Sequence, residues 1–205
     1  MDAPASSLVI ACGALAHEIV ALRRLNDWPH LVVQCLPAEL HNRPEKIPAA
    51  VREKIQAART RFASIFVAYA DCGTGGMLDK VLQEEGVERL PGAHCYEFFA
   101  GAQAFAEMAE AEPGTFYLTD FLATHFERLI MHGLGIDKHP ELQPLYFGNY
   151  RRLMYLAQTE SPEKMRTAQD AAQRLGLEFA YRFTAYGGLE HGLRRAHEGV
   201  VIWQN

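Results

Sequence analysis

The sequence predicts an α/β fold: a mainly parallel sheet with helices on both faces, in a Rossmann-like three-layer architecture, built as a single domain over residues 1–205. Three observations point there. The apolar runs Leu8 to Cys12 and Leu31 to Leu36 lack polar alternation, as strands buried on both faces do. Stretches with helical spacing separate the strand-like runs, which is the rhythm of parallel crossovers. Glycines and prolines punctuate the joins.

Taken in order, Leu8 to Cys12 is a buried strand, Gly13 a break, and Ala14 to Leu25 a helix whose Leu15, Ile19 and Leu22 share one face. Trp28-Pro29 ends that unit. Leu31 to Leu36 is a second buried strand, which makes Cys35 a core residue. Pro37 and Pro44 stiffen the loop that presents His41. Pro48 opens a helix running to about Arg61, with Val51, Ile55 and Ala58 inward. Ser64 to Tyr69 is the next strand, and Gly73, Gly75 and Gly76 turn it into a helix starting at Met77. Glu88 to Gly92 is a turn. An apolar helix runs roughly from Tyr96 to Ala111, so Cys95 lies at its N-terminus.

Pro113-Gly114 turns the chain into a strand from Thr115 to Thr119 that ends at Asp120, and an aromatic helix follows from Phe121 to His132. Residues 133–150 are irregular and read as a lid or interface insert. Arg151 to Gln158 contains a strand. Ser161-Pro162-Glu163 starts a helix in the preferred way, with a cap, a proline at the first position and an acid in the first turn, and Gly176 terminates it. Leu177 to Phe183 is a strand, Tyr186 to Gly188 opens a short helix, and Val200 to Trp203 is a terminal strand. The strand–glycine–helix arrangement recurs near residues 12, 72 and 187, a weak pseudo-repeat.

Composition narrows the class. An apolar fraction of 49% and a charged fraction of 22% are those of a soluble globular protein. The net charge of −5 and the absence of a Lys/Arg block argue against nucleic acid or an anionic membrane as partner. No apolar run has membrane-spanning length and the N-terminal residues lack a signal-peptide pattern, so the expected location is cytoplasmic. The 4 cysteines are widely spaced without a CxxC pair, which in that compartment favours ligands, nucleophiles or core residues over disulfides.

The chemistry centres on Val67 to Asp79. Loops at the carboxyl ends of parallel strands gather into one crevice. Cys12 and Cys72 each end a strand before a glycine, His41 follows a strand by a short loop, and Cys95 precedes a helix. Three thiolates and an imidazole would suit zinc; three thiolates with an open position would suit an iron–sulfur cluster. The expected metal ligands are therefore Cys12, Cys72, Cys95 and His41. Gly73, Thr74, Gly75 and Gly76 at a helix N-terminus would offer amides to an anionic cofactor or substrate and lower the Cys72 pKa. Asp71 and His41 are the expected catalytic groups. In a competing reading, Cys12 and Cys95 are small buried hydrophobes and Cys72 is the nucleophile of a metal-free transferase or hydrolase, with His41 as base and His94 as the rival imidazole. A third reading is a non-catalytic partner module using the aromatic segment from Phe116 to Tyr150. Neither a Walker lysine nor GxGxxG is present, so nucleotides are not supported.

Six segments carry a resemblance: Ile10 to Leu15, Leu36 to Pro44, Tyr69 to Gly76, Pro91 to Gly101, Pro113 to Thr119 and Tyr186 to Leu189. Together they resemble the domain-of-unknown-function family numbered sixteen thirty-eight, over most of the chain. The resemblance assigns no reaction. It implies a compact prokaryotic protein often met beside corrinoid-dependent methyltransferases of one-carbon metabolism, hence methyl transfer as a function, and a small-molecule substrate or a corrinoid protein as partner. His17 departs from it, since an arginine is the expected residue there.

Overall fold

A computed structural model describes residues 6–198, which divide into two compact units. Of the described residues, the first comprises 6–98 together with 187–198, and the second Phe99–Tyr186. Each contains its own parallel sheet, so the α/β class holds, while the strands expected in one domain belong to two sheets. The local reason is Gly101, whose left-handed φ of +85° interrupts the helix. The apolar helix read as continuous from Tyr96 is two helices, Cys95–Ala100 and Ala102–Ala111, and the division between units falls within the first.

In the first unit, β1 (Ser7–Cys12), β2 (Leu31–Leu36), β3 (Ser64–Ala68) and the two-residue β4 (Glu88–Arg89) pair in parallel in the order β2-β1-β3-β4. The chain steps from β1 outward to β2, then back across β1 to β3. Because such crossovers are right-handed, that reversal places the two connecting helices on opposite faces. Accordingly α1 (Ala16–Leu25) packs with the last helix α9 (Gly188–Glu198) on one side. α2 (Ile47–Ala58) packs with α3 (Met77–Glu85) on the other. β1, covered on both faces, is buried at every residue. β2 is an edge strand instead, and this corrects the reading of Cys35 as core: its side chain is exposed.

Gly13 is required by space. A Cβ there would lie 2.9 Å from the Leu36 carbonyl oxygen and 3.3 Å from the Ala38 nitrogen. The close approach lets the chain after β1 nest against the chain after β2, and this contact carries His41 towards Cys12.

In the second unit, α4 (Cys95–Ala100) having ended, α5 (Ala102–Ala111) leads to β5 (Thr115–Thr119), β6 (Arg152–Ala157) and β7 (Glu178–Phe183), paired in parallel in that order. α6 (Asp120–Thr124) and α8 (Pro162–Leu175) pack together on the sheet. The expected aromatic helix stops at Thr124 and is followed by a π-helical turn, Glu127–His132. Residues 133–150 hold a 3₁₀ turn and α7 (Gln143–Phe147). Ile136 and Phe147 from this insert are buried in the same core as Leu118 and Tyr155, so the insert is anchored by apolar burial. α8 starts as its sequence implies: the Ser161 hydroxyl accepts from the Lys164 amide at 3.3 Å, and Gly176 closes it with φ +73°. The terminal strand expected at Val200 to Trp203 lies outside the described residues.

A buried charge organises this unit. The Asp120 carboxylate, at the carboxyl end of β5, accepts from the Tyr155 hydroxyl at 2.7 Å and the Gln158 amide at 3.0 Å. It also accepts from Lys164 Nζ at 2.7 Å and from the Thr159 hydroxyl at 2.5 Å. Burial alone would raise its pKa; the hydrogen bonds from Lys164, Thr159, Tyr155 and the Gln158 amide outweigh it and hold the carboxyl below its ordinary range.

Removing the Asp120 carboxylate leaves the buried Tyr155 hydroxyl and Gln158 amide without their acceptor, whereas Lys164, 32% exposed, can turn to water. Asp120→Ala should therefore destabilise the second unit by about 1–3 kcal/mol for each buried group left unpaired, read by faster hydrogen exchange across the β5–β7 amides. Because the folded pKa lies below the unfolded one, the wild-type contribution is complete above the ordinary carboxylate range and is lost as pH falls through the folded value. The difference between wild type and variant should shrink in acid.

Candidate thiol site

The strand order of the first unit reverses at β1, so the crevice beyond the carboxyl ends of β1 and β3 is its topological switch point. The register pairs Cys12 with Leu36 and Ala11 with Ala68. The end of β1 is thus level with the loop that carries His41 on one side. On the other it is level with Tyr69, the first residue after β3.

Cys12 is buried, with 2% of its surface exposed. Its sulfur accepts from the Ala14 amide at 3.3 Å and lies 3.4 Å from His41 Nδ1. The same Nδ1 is 3.2 Å from the Ala38 carbonyl oxygen. A carbonyl only accepts, so this contact sets the hydrogen on Nδ1 and leaves Nε2 with its lone pair. Burial, with help from nearby His94, holds the His41 pKa below its ordinary value, against the Ala38 carbonyl, which favours the charged form. The shift favours the neutral imidazole. Sequence reasoning paired His41 with Cys72; the structure places it against Cys12.

Cys72 and Cys95 are brought together by backbone. The Asp71 amide donates to the Gly92 carbonyl at 3.1 Å and the Cys72 amide to the Ala93 carbonyl at 2.8 Å. These bonds lock the glycine loop onto the turn that leads into Cys95. Arg89 clamps the turn from outside, donating to the Leu90 and Gly92 carbonyls at 2.7 and 3.1 Å while paired with Asp79. The Glu97 carboxylate accepts from the Ala93 amide at 2.8 Å and lies against Gly92, whose φ of +98° favours glycine. Cys72 itself has φ +51°, a left-handed backbone that costs a non-glycine residue about 1–3 kcal/mol and persists where the surroundings enforce it.

The loop's polar groups serve the loop. Asp71 accepts from the Thr74 hydroxyl at 2.6 Å, the Gly75 amide at 3.1 Å and the Gly76 amide at 2.9 Å. The Thr74 hydroxyl in turn accepts from the Leu78 amide at 3.3 Å. The amides of Gly75 and Gly76, expected to meet an anion, are thus occupied by Asp71. The carboxylate expected to act catalytically is the fastening of the turn, and Thr74 is its buried second anchor.

This has an electrostatic consequence that corrects the expectation of an activated Cys72. Burial pushes its thiol up to about 11; Arg89 opposes this and the Asp71 charge reinforces it. Burial likewise pushes Cys12 up to about 12, with Cys72 and Cys35 adding to the effect and the Ala14 amide and Tyr69 hydroxyl opposing it. Cys95 is pushed well above its ordinary value by burial and then by Cys72 and Cys12. The three thiols therefore lie within range of one another's charge, and each disfavours ionisation of the others.

Sequence reasoning missed Tyr69. It is 1% exposed, and its buried hydroxyl makes no hydrogen bond of standard geometry. Burial, then the Cys12 thiol beside it, raises its pKa. The available signal was a phenol among the small apolar residues that end the strand, in Val-Ala-Tyr-Ala-Asp-Cys.

Cys12, His41, Tyr69, Cys72 and Cys95 thus belong to one neighbourhood of the first unit. In their present rotamers no three His, Cys, Asp or Glu side chains among the described residues are grouped so as to hold a metal ion. No helix among the described residues is long and apolar enough to cross a membrane.

The family described as Protein of unknown function (DUF1638) matches residues 35–193. That span contains His41, Tyr69, Cys72 and Cys95, and Cys12 lies before it. No curated protein and no solved structure matches the chain.

The raised thiols predict low nucleophilicity at neutral pH. With iodoacetamide at pH 7.5, Cys35 should label first because it is exposed, and Cys72 slowly. Cys72 labelling should accelerate with each step in pH towards about 11, as mass mapping of the alkylated peptides would show. Fast, selective Cys72 labelling at neutral pH would contradict the electrostatics.

Proposed function

Because the chain belongs to the DUF1638 family, whose description assigns no reaction, we propose from its own residues that it is a metal-binding α/β protein of methyl transfer. In this reading Cys12, Cys72 and Cys95 hold a thiophilic ion, zinc in the first instance, with His41 as fourth ligand through Nε2 or as nearby base. The observation that carries it is the gathering of one buried and two half-buried thiols, all with raised pKa values, with an imidazole whose pKa is lowered, at a topological switch point.

The donor set fits the chemistry. Soft sulfur ligands and one imidazole match zinc, and a His held through Nδ1 by a carbonyl is oriented as metal-ligating histidines are. Thiols that resist ionisation in the absence of a cation are what such a set displays before a dication compensates their charge. Because no three such side chains among the described residues are grouped to hold an ion, coordination in this reading requires the site to rearrange. An ion bound by the three thiolates would supply Lewis acidity that keeps a substrate thiol ionised as a methyl acceptor in the fourth position, with His41 then serving as a nearby base rather than a ligand. The remaining work is done by the chain: Asp71 and Thr74 fix the loop, Arg89 and Glu97 fix the turn, and buried β1 excludes water beneath the site. A corrinoid protein, or the methylated compound it serves, is the partner this reading assigns. The metal-free reading, with Cys72 as nucleophile and His41 as base, is weaker, because His41 faces Cys12 and both thiols are raised.

Titration of the reduced, full-length protein with cobalt(II), then zinc, tests the proposal. About one ion should bind per chain, with thiolate-to-cobalt charge-transfer absorption, and Cys72→Ala or Cys95→Ala should abolish it. Each thiol enters the site neutral and leaves it as thiolate, so binding should release protons. Apparent affinity should rise with pH below the thiol pKa values, by up to roughly tenfold per unit for each thiol ionised. No uptake, or uptake indifferent to Cys72→Ala, would end the proposal; a brown protein with visible absorption as purified would replace zinc by an iron–sulfur cluster.

A further inference from the structure

We propose that β7, an outer strand of the second unit's sheet, pairs with itself: two copies of the chain join β7 to β7 in antiparallel fashion, about a two-fold axis at Ala180, into one continuous sheet. The proposal is independent of the thiol site and of any metal.

It starts from an open edge. Among the described residues β7 pairs with β6 alone. The other outer strand, β5, is buried at all but one of its residues, whereas Glu178, Tyr181, Arg182 and Phe183 of β7 are exposed. Tyr181 and Phe183 show 42% and 47% of their surface. Proteins blunt such edges with proline, lysine, a bulge or a very short strand. β7 has 6 residues, an unbroken register with β6, and neither proline nor lysine.

Its backbone is ready for a second partner. The Glu178 amide donates to the Arg151 carbonyl and the Thr184 amide to the Ala157 carbonyl, both at 2.9 Å. Peptide groups alternate in direction along a strand, so even-numbered residues turn theirs to β6, while Phe179, Tyr181 and Phe183 turn theirs outward. Side chains alternate as well. Leu177 and Phe179 pack against the core of the unit. Tyr181, whose ring centre lies 5.9 Å from that of Tyr155, and Phe183 continue the same face. Glu178, Ala180 and Arg182 occupy the other.

Self-complementarity selects the partner. For each face of the sheet to continue into the second copy, the axis has to pass through a residue rather than between two, since only then do residues of one face lie opposite their own kind. With the axis at Ala180, Glu178 lies opposite Arg182 of the second copy, and Phe179 opposite its Tyr181. The charged pairs and Ala180 then fall at the non-hydrogen-bonded positions, where strands approach most closely, and the aromatic pairs at the hydrogen-bonded ones. An axis at Phe179 or Tyr181 leaves both charges opposite neutral residues, and one at Glu178 or Arg182 sets like charges together. Opposite charges and aromatic pairs across a ladder stabilise it, and like charges directly opposed do the reverse. Arg152 of β6 meets Glu178 at 3.4 Å on its inner side, so in the dimer this carboxylate lies between two guanidinium groups. One patch serving both copies gives a closed, isologous dimer.

Sedimentation and hydrogen exchange of the full-length protein test the proposal. It should be a dimer that dissociates on dilution. The amides of Phe179, Tyr181 and Phe183 should be protected in the dimer and released in the monomer, while those of Ala180 and Arg182 stay protected in both. Arg182→Glu and Glu178→Arg each set like charges opposite one another, and each variant alone should dimerise roughly 10–100-fold more weakly than wild type. An equimolar mixture of the two should recover the wild-type affinity, because every charge then meets its complement. The exchange pattern of unmutated protein keeps the test decisive if a variant fails to fold. A chain that stays monomeric at every concentration, a dimer whose odd-numbered β7 amides exchange as in the monomer, or a mixture no tighter than its components would overturn the proposal. Protection of those amides in a monomer would assign the edge to another segment of the same chain and overturn it too.

Discussion

Two backbone hydrogen bonds, from Asp71 and Cys72 to the carbonyls of Gly92 and Ala93, are the constraint on which the site depends. Thiols at 72 and 95 become neighbours because the loop after β3 is zipped to the turn after β4. The parallel pairing of Phe66 with Glu88 and Val67 with Arg89 begins that zipper, and the loop contacts extend it beyond the sheet. Everything near it is arranged to hold the geometry: Asp71 inside the loop, Arg89 outside the turn, Glu97 beneath it. The left-handed backbone at Cys72 is a cost that only such a surround can sustain.

The same enclosure governs the chemistry. A thiol in an open glycine loop at a helix start would be activated by bare amides. Here the amides of Gly75 and Gly76 already serve a carboxylate, and burial outweighs the nearby Arg89. The site therefore holds protonated sulfur rather than a ready nucleophile. Positive compensation would have to come with a ligand, which the proposed function takes to be a dication.

Much of the fold was legible because local signals agreed. The strands at 7–12 and 31–36, the cap at Ser161, the glycine stop at 176 and the strand ending at Asp120 follow from periodicity and turn chemistry. Legibility failed where burial depends on neighbours distant in sequence. Leu31 to Leu36 reads as a core strand, yet it is an edge, and Cys35 faces outward. The helix from Tyr96 to Ala111 has unbroken apolar spacing, yet it divides where the chain passes from one sheet to another. At the site, the thiols and His41 could be nominated from strand ends. The partnership of His41 with Cys12, the fastening role of Asp71 and the buried phenol of Tyr69 could not, since each depends on a contact between separate loops.

The sequence by itself determined the α/β class and which residues end strands, because side-chain volume, β-branching and glycine act within a few residues. Only the tertiary structure decided that the strands form two sheets and that the first reverses at β1. It also decided which side chain faces which sulfur and how firmly each thiol keeps its proton. Those properties are set by crossover handedness, strand register and desolvation, and each arises only when remote segments exclude water together.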